Sequence, residues 1–289
     1  MRIAMWSSWF IDLSPEEMVE TFVREGWDCT ELSSEHARAL LDRGHAVKEG
    51  ESFREFAEGQ GLDMPQGHLE LKVDIVQPDP AERAAMMDNM KRWCDLFMAL
   101  GIKAGVLHAG GRVAREAGWE ADRIFDANVA ALNEFGTFLK GGPTRIALEN
   151  AGGHGIGGLL KLCEAVNETE LGICLDTGHL NIVRRHTNAE FMRAAGERLI
   201  ALHIADNRGE RDDHAFPFGP QCTVDWTGFG AVLEELGYGG LFNYEVPGES
   251  SWRGAPEGGP RKAPLPVRIA KLAYARRLAE FLLSDAPAP

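Results

Sequence analysis

Six short apolar runs in this 289-residue chain each close on a residue able to bind a divalent cation. Met64–His68 and Ala104–His108 end in histidine, Arg145–Glu149 in glutamate and Gly172–Asp176 in aspartate. Ala201–Ile204 carries His203 at its close, and Leu241–Glu245 ends in glutamate. Glu149, Asp176, His203 and Glu245 together offer three carboxylates and one imidazole. Such a set suits Mn2+, Mg2+, Co2+ or Zn2+, and not copper or an iron–sulfur cluster. Carboxylates that converge away from water repel one another, so a cation has to offset them. Taken alone, any one of these residues reads as a cap or a surface group. Their recurrence at six run ends in order argues for a shared site.

Further groups of the same chemistry lie close by in sequence. His179 follows Asp176 by three residues, and Asp212-Asp213-His214 lies just past the seventh run. With His68 and His108 these are candidates for additional metal ligands, His68, His108, His179, Asp212 and His214, or for neutral substrate contacts. The plainer alternatives are a helix cap for His179 and a surface loop for His214. Arg208 and Arg211 could clamp an anionic or hydroxyl-rich end of a substrate, and Trp6, Trp9, Phe216 and Phe218 could wall the pocket.

The elements that would carry these residues alternate. Ser14-Pro15-Glu16-Glu17 and Asp79-Pro80-Ala81-Glu82 have the chemistry of helix starts, and Gly101 that of a stop. Met86, Met90, Trp93, Phe97 and Leu100 recur at helical spacing, as do Val267, Ala270, Tyr274, Leu278 and Phe281. Arg2–Trp6 and Cys29–Leu32 join the six runs above to make eight strands, each followed by a helical pattern. That alternation implies parallel pairing, and eight units in this length suit a closed (β/α)8 barrel, an α/β fold of one domain over residues 1–289. In such a barrel all strand ends meet at one rim. No G-x-G-x-x-G follows the first strand, which disfavours the commonest open doubly wound alternative. Residues 247–266, rich in proline and glycine, read as a long irregular loop at that rim or at an oligomer contact.

Composition narrows the setting. At 44% hydrophobic and 26% charged residues the chain can bury a sizeable core. A net charge of −14 disfavours nucleic acid and anionic membrane as partners. Cys29, Cys94, Cys163, Cys174 and Cys222 are scattered and form no C-x-x-C pair, so neither a disulfide scaffold nor a thiolate zinc finger is expected. No run reaches the ~20 apolar residues of a membrane span, and the N-terminus has no secretory pattern. A cytoplasmic location is the expectation.

HLEL at 68–71, LHAGG at 107–111, ALENAGG at 147–153, CLDTGH at 174–179, LHIADN at 202–207, DDH at 212–214 and Glu245 resemble the xylose-isomerase-like TIM-barrel superfamily over nearly the whole chain. That group holds sugar and sugar-phosphate isomerases and epimerases together with endonuclease IV. Resemblance to ketose 3-epimerases implies Glu149, Asp176, His203 and Glu245 as metal ligands, Glu149 and Glu245 as the acid/base pair, and a substrate contact at His179. Resemblance to endonuclease IV implies further zinc ligands at His68, His108, His179, Asp212 and His214. Two departures stand out. A second glutamate soon after the strand-five ligand, common in ketose epimerases, is replaced here by Gly152-Gly153-His154-Gly155, and the opening lacks the endonuclease pattern. The relatives also suggest a homo-oligomer, a dimer or tetramer.

The expected function is therefore a metal-dependent isomerase or epimerase of a sugar, sugar phosphate or polyol, with one divalent ion or more than one Zn2+. Proton transfer next to a carbonyl would pass through a metal-stabilised enediolate, with Glu149 and Glu245 catalytic. His68, His108, His179, Arg208, His214 and Trp6 would contact the carbohydrate. The alternatives are a trinuclear zinc phosphodiesterase on abasic DNA, and a dehydratase of the inosose type that loses a β-hydroxyl instead.

Overall fold

The helix starts form as their sequences dictate. In the computed structural model, which describes residues 1–152, 154–166, 171–247 and 263–284, the Ser14 hydroxyl accepts from the Glu17 amide while Glu17 reaches back to the Ser14 amide. The Asp79 carboxylate accepts from the amides of Ala81 and Glu82. These caps open α1 (Pro15–Arg24) and the helix over Pro80–Leu100; between them lie α2 (Ser34–Leu41) and α3 (Ala46–Gln60), which makes the Pro80–Leu100 helix α4. The apolar stripe of α4, Met86, Met90, Trp93, Phe97 and Leu100, is buried as its spacing requires.

Eight strands alternate with the helices: β1 (Arg2–Met5), β2 (Cys29–Leu32), β3 (Asp63–His68), β4 (Ala104–His108), β5 (Arg145–Glu149), β6 (Leu171–Asp176), β7 (Leu199–His203) and β8 (Leu241–Tyr244). The later helices are α5 (Arg112–Glu116), α6 (Ala121–Leu139), α7 (Ile156–Ala165), α8 (Thr177–Val183), α9 (Asn188–Ala195), α10 (Phe229–Glu235) and α11 (Leu265–Leu283). β2 to β7 form one parallel sheet in sequence order, and β1 pairs in parallel with β8. Two seams join them. Trp6 bridges to Glu31, and Ile204 bridges to Tyr244, with the Ile204 amide donating to Asn243 at 2.8 Å and the Glu245 amide to Ile204 at 3.2 Å. The result is a barrel of the TIM type, as the alternation implied.

The two-residue period of a strand then decides what faces inward. Ile146, Leu148, Ile173, Leu175, Leu202 and Phe242 point out into the large core under the helices, while Ala104, Val106, Ala147, Cys174 and Ala201 cluster separately inside the barrel. Small residues fill that narrow interior. Two positions further along each strand, on the same inward parity, stand His108, Glu149, Asp176 and His203. Register aligns them: His108 lies opposite Glu149, and Asp176 opposite His203.

One expectation fails at α11. Val267, Tyr274 and Phe281 of the anticipated stripe are exposed, and Arg268, Leu272, Ala275, Ala279 and Leu282 are buried instead. The reason is Arg268. Its guanidinium donates to both carboxylate oxygens of Asp12 at 2.7 Å and to the Trp9 carbonyl at 2.8 Å, and this anchor turns the adjacent face inward. Helix α11 also starts inside the stretch anticipated as irregular. Pro266 falls in its first turn, where a missing N–H costs nothing. Residues 248–262 of that stretch lie outside the described residues. Among the described residues no helix is long and apolar enough to cross a membrane, and the five cysteines are free thiols.

Candidate metal centre

Glu149 ends β5, Asp176 ends β6, His203 ends β7 and Glu245 follows β8 directly. One ligand atom from each lies within 4.8 Å of the others, and all four side chains are buried. Their free atoms identify the meeting point. Glu149 Oε1, Asp176 Oδ2, His203 Nδ1 and Glu245 Oε2 are buried without hydrogen-bond partners. Such orphans are costly, and one on each of four converging side chains favours a partner they share. His203 Nδ1 is 3.1 Å from Glu245 Oε2 and 3.5 Å from Glu149 Oε2. Atoms bound at about 2.1 Å to one ion sit roughly 3.0–3.4 Å apart. The residues present fit a divalent cation.

Hydrogen bonds on the far side of each ring fix which nitrogen is free. His203 Nε2 donates to Glu31 Oε1 at 3.0 Å, since a carboxylate only accepts, and its Nδ1 lone pair faces the cluster. His68 Nδ1 donates to the Leu69 carbonyl at 2.9 Å, leaving Nε2 turned to Glu149 Oε2 at 3.5 Å. His214 Nδ1 donates to the Glu245 carbonyl at 2.9 Å, leaving Nε2 at 2.7 Å from Asp212 Oδ2. Three imidazoles thus present lone pairs to carboxylates, an arrangement that calls for protons or metal between them.

Around the four-residue centre the other histidines complete a ring. His68, His108 and Glu149 form a second group of candidate ligands within 4.8 Å, with His108 Nε2 at 2.9 Å from Glu149 Oε2. His179 Nδ1 is 2.8 Å from Glu149 Oε1, and its Nε2 is 3.2 Å from Asp212 Oδ2. Asp212 therefore bridges His179 and His214. Gly178, between Asp176 and His179, sits close to its neighbours: a Cβ there would lie 3.0 Å from Asn207 Nδ2 and 3.3 Å from Asp176 Oδ1, so both would have to give by a few tenths of an ångström. The Asp176 carboxylate also accepts from the His179 amide at 2.5 Å, so the metal-type residue doubles as the cap of α8.

The charges are strongly coupled. Burial pushes the Asp176 carboxyl up to about 8, helped by Glu245, Glu149 and Asp212 and opposed by His179. Burial also works to raise Glu149 and Glu245, but the imidazoles win. His108 and His203 hold Glu149 well below the usual carboxylate range, and His203 and His214 bring Glu245 to about 2. Burial lowers and Asp212 and Glu245 raise His214, to a net value of about 10.

Not every anticipated residue joins the cluster. Arg208 pairs with Asp213 at 3.3 Å and Gln221 at 3.2 Å, and Arg211 with Asp213 at 2.6 Å. Trp6 is buried at the seam between β1 and β2, on the inward parity. Trp9 and Phe216 pack edge to face at 5.6 Å, whereas Phe218 is exposed.

Three supporting residues escaped the sequence reading. Glu31 accepts from His203, from Gln66 Nε2 at 3.0 Å and from Asn243 Nδ2, wholly inside the barrel. Asn150 clasps the Asp176 backbone, accepting at 2.6 Å and donating at 2.9 Å. Asp206 accepts from the amides of Asn207, Phe218 and Val224 and from Trp226 Nε1, which pins the loop carrying Asp212 and His214. Asn150 and Asp206 stand in the motifs ALENAGG and LHIADN, which carried the resemblance without giving them a role, and Glu31 is an acidic residue within the short strand CTEL.

A model of the xylose isomerase-like TIM-barrel family matches residues 19–268. The chain belongs to this family. Two structures of D-psicose 3-epimerase, one in the presence of D-fructose and one with D-tagatose from Clostridium cellulolyticum H10, superpose with a TM-score of 0.79 at 17% and 15% identity. They cover 98% of this chain, and the matches span 99% and 100% of theirs. A probable endonuclease 4 of Nitratidesulfovibrio vulgaris is 28% identical over 170 residues, 56% of this chain and 58% of that protein. An uncharacterised protein, y4fM, of Sinorhizobium fredii is 34% identical over 77 residues, 27% of this chain and 24% of that protein. The chain thus spans about a quarter and somewhat over half of these two curated relatives.

Proposed function

We propose that the chain is a divalent-metal-dependent sugar isomerase or epimerase that moves a proton at a carbon next to a carbonyl. The observation that carries this reading is the buried convergence of Glu149, Asp176, His203 and Glu245, each of which also keeps one buried polar atom without a hydrogen bond. When bound, the ion supplies Lewis acidity to a carbonyl and a neighbouring hydroxyl oxygen of the substrate. Glu149 and Glu245 come from non-adjacent strands and flank the same place. One carboxylate removes the carbon-bound proton and the other returns one from the second side, exchanging roles when the reaction reverses. His179 and His108, each touching Glu149, orient it and donate to substrate hydroxyls, while His68 and His214 hold the rim around it. The likeness to D-psicose 3-epimerase supports a monosaccharide-sized substrate, and the free thiols support a cytoplasmic setting.

A second reading rests on one observation. His68 and His108 with Glu149 form a second candidate ligand group, and Asp212 lies between His179 and His214, the residue types that a trinuclear phosphodiesterase would need. The net charge of −14 weighs against a DNA substrate. Elemental analysis of purified protein, with ketoses incubated in D2O, tests both. About one ion per chain, together with deuterium uptake at the carbon beside the carbonyl that disappears in Glu149→Gln and Glu245→Gln with native circular dichroism, supports the sugar reading. Three zincs with cleavage of an abasic duplex, or exchange surviving in Glu149→Gln above a few per cent, would overturn it.

A further inference from the structure

Beside the metal centre, on the same rim, lies a cavity of about 620 Å3 between the loop after β4 and the first turns of α6 and α7. Its lining includes Arg115, His154, Gly158 and Lys161, with Trp119 and Phe125 as apolar wall. The two loops that form it leave neighbouring strands: Gly110 is two residues beyond His108, and His154 is five beyond Glu149. Arg115 and Lys161 have no ion-pair partner among the described residues. Arg112 on the same short helix, by contrast, pairs with Glu116 at 3.1 Å. Asp122 also lines the cavity, from the first turn of α6, and one carboxylate leaves the lining cationic.

The start of α7 adds donors. Gly155 caps it without a side-chain hydrogen bond, and among the described residues no acceptor meets the amides of Ile156 and Gly157. His154 stands over that first turn, its Nδ1 3.7 Å from where a Cβ of Gly158 would be. Its imidazole is held below the ordinary value by burial and by the Arg115 charge, and Asp122 is the one carboxylate in the same lining.

We infer that this cavity is an anion subsite that takes the phosphoryl group of a phosphorylated sugar, held by Arg115, Lys161 and His154 against the amides opening α7. Guanidinium and ammonium groups match phosphate oxygens, and a helix start with free amides adds favourable dipole and hydrogen bonds. The inference rests on the proposed sugar chemistry for the substrate's identity, but the subsite is tested without turnover.

Inorganic phosphate is titrated by calorimetry into the metal-free full chain, so that no bound ion competes for it. The wild type is expected to bind, and the double substitution of Arg115→Gln with Lys161→Gln to weaken binding at least tenfold while metal content on reloading stays the same. Arg112→Gln, a nearby charge outside the cavity, is expected to bind as the wild type does. Equal affinity in wild type and double variant, or an equal loss in Arg112→Gln, would overturn the subsite. A sugar phosphate that displaces phosphate where the free sugar does not supports it; equal displacement by both would overturn the phosphoryl assignment. Failure of the sugar reading shows separately, as absent carbon exchange with the ion bound.

Discussion

Glu31 Oε1 and His203 Nε2 meet at 3.0 Å inside the barrel, both side chains inaccessible to solvent, although 172 residues separate them in sequence. This bond holds His203 in the tautomer whose Nδ1 faces Glu149 and Glu245. Glu31→Gln keeps the shape and removes the charge that strengthens the imidazole as a ligand. Metal affinity is expected to fall roughly tenfold to a hundredfold, read by calorimetric titration, with the far-UV spectrum unchanged. Unaltered affinity would show that the bond serves packing alone.

Removing metal should cost stability. Glu149, Asp176 and Glu245 bring three buried carboxyl groups to one place, and a cation bound only by the folded chain stabilises it by mass action. Chelation of the loaded protein is expected to lower Tm by several degrees, and restored Mn2+ or Zn2+ to recover it. A Tm indifferent to chelator would count against a resident ion.

The loop bearing Asp212 and His214 depends on Asp206. Its carboxylate accepts from three backbone amides and from Trp226 Nε1 at 2.9 Å. Asp206→Asn turns part of that acceptor into a donor and sets it against fixed donors. Limited trypsin digestion after Arg208 or Arg211 should quicken several-fold while the global Tm shifts little. Unchanged cleavage would show that the loop is held elsewhere.

Arg268 joins the last helix to the first loop through Asp12, the Trp9 carbonyl and the Ala263 carbonyl at 3.0 Å. Arg268→Ala takes a donor from two backbone carbonyls and removes an ion pair whose arginine is buried and whose Asp12 carboxylate is half-exposed. Urea unfolding is expected to report a loss of about 2–4 kcal/mol.

A tether between α4 and α6 makes its own contribution to the pH dependence of stability. Glu134 is held below the usual carboxylate range chiefly by its bond to Lys91 at 2.7 Å, with Arg83 at 3.1 Å adding to it against burial. A carboxyl depressed in the folded state binds its proton less readily there than in the unfolded chain. Its stabilisation is present above the ordinary glutamate value of about 4.3 and is lost as pH falls through the folded value. Glu134→Gln should cost about 0.5–1 kcal/mol at pH 7 and almost nothing at pH 3. The two Tm curves against pH should therefore converge on the acid side.

Local chemistry wrote much of this protein into its sequence. Ser14 and Asp79 announce their helices because a cap needs only neighbours in the chain, and the strands ending at His108, Glu149 and Asp176 show themselves by β-branched and apolar runs with an ionisable residue at the stop. What tertiary structure alone decided depends on partners distant in sequence. Glu31 looked like one residue of a buried strand until closure of the barrel put it under His203. On α11 two apolar faces competed, and the bond from Arg268 to Asp12, 256 residues away, chose between them. Periodicity states which residues share a face, and only the packing of the whole chain states where that face points, because burial energy belongs to pairs of surfaces and not to one strand or helix.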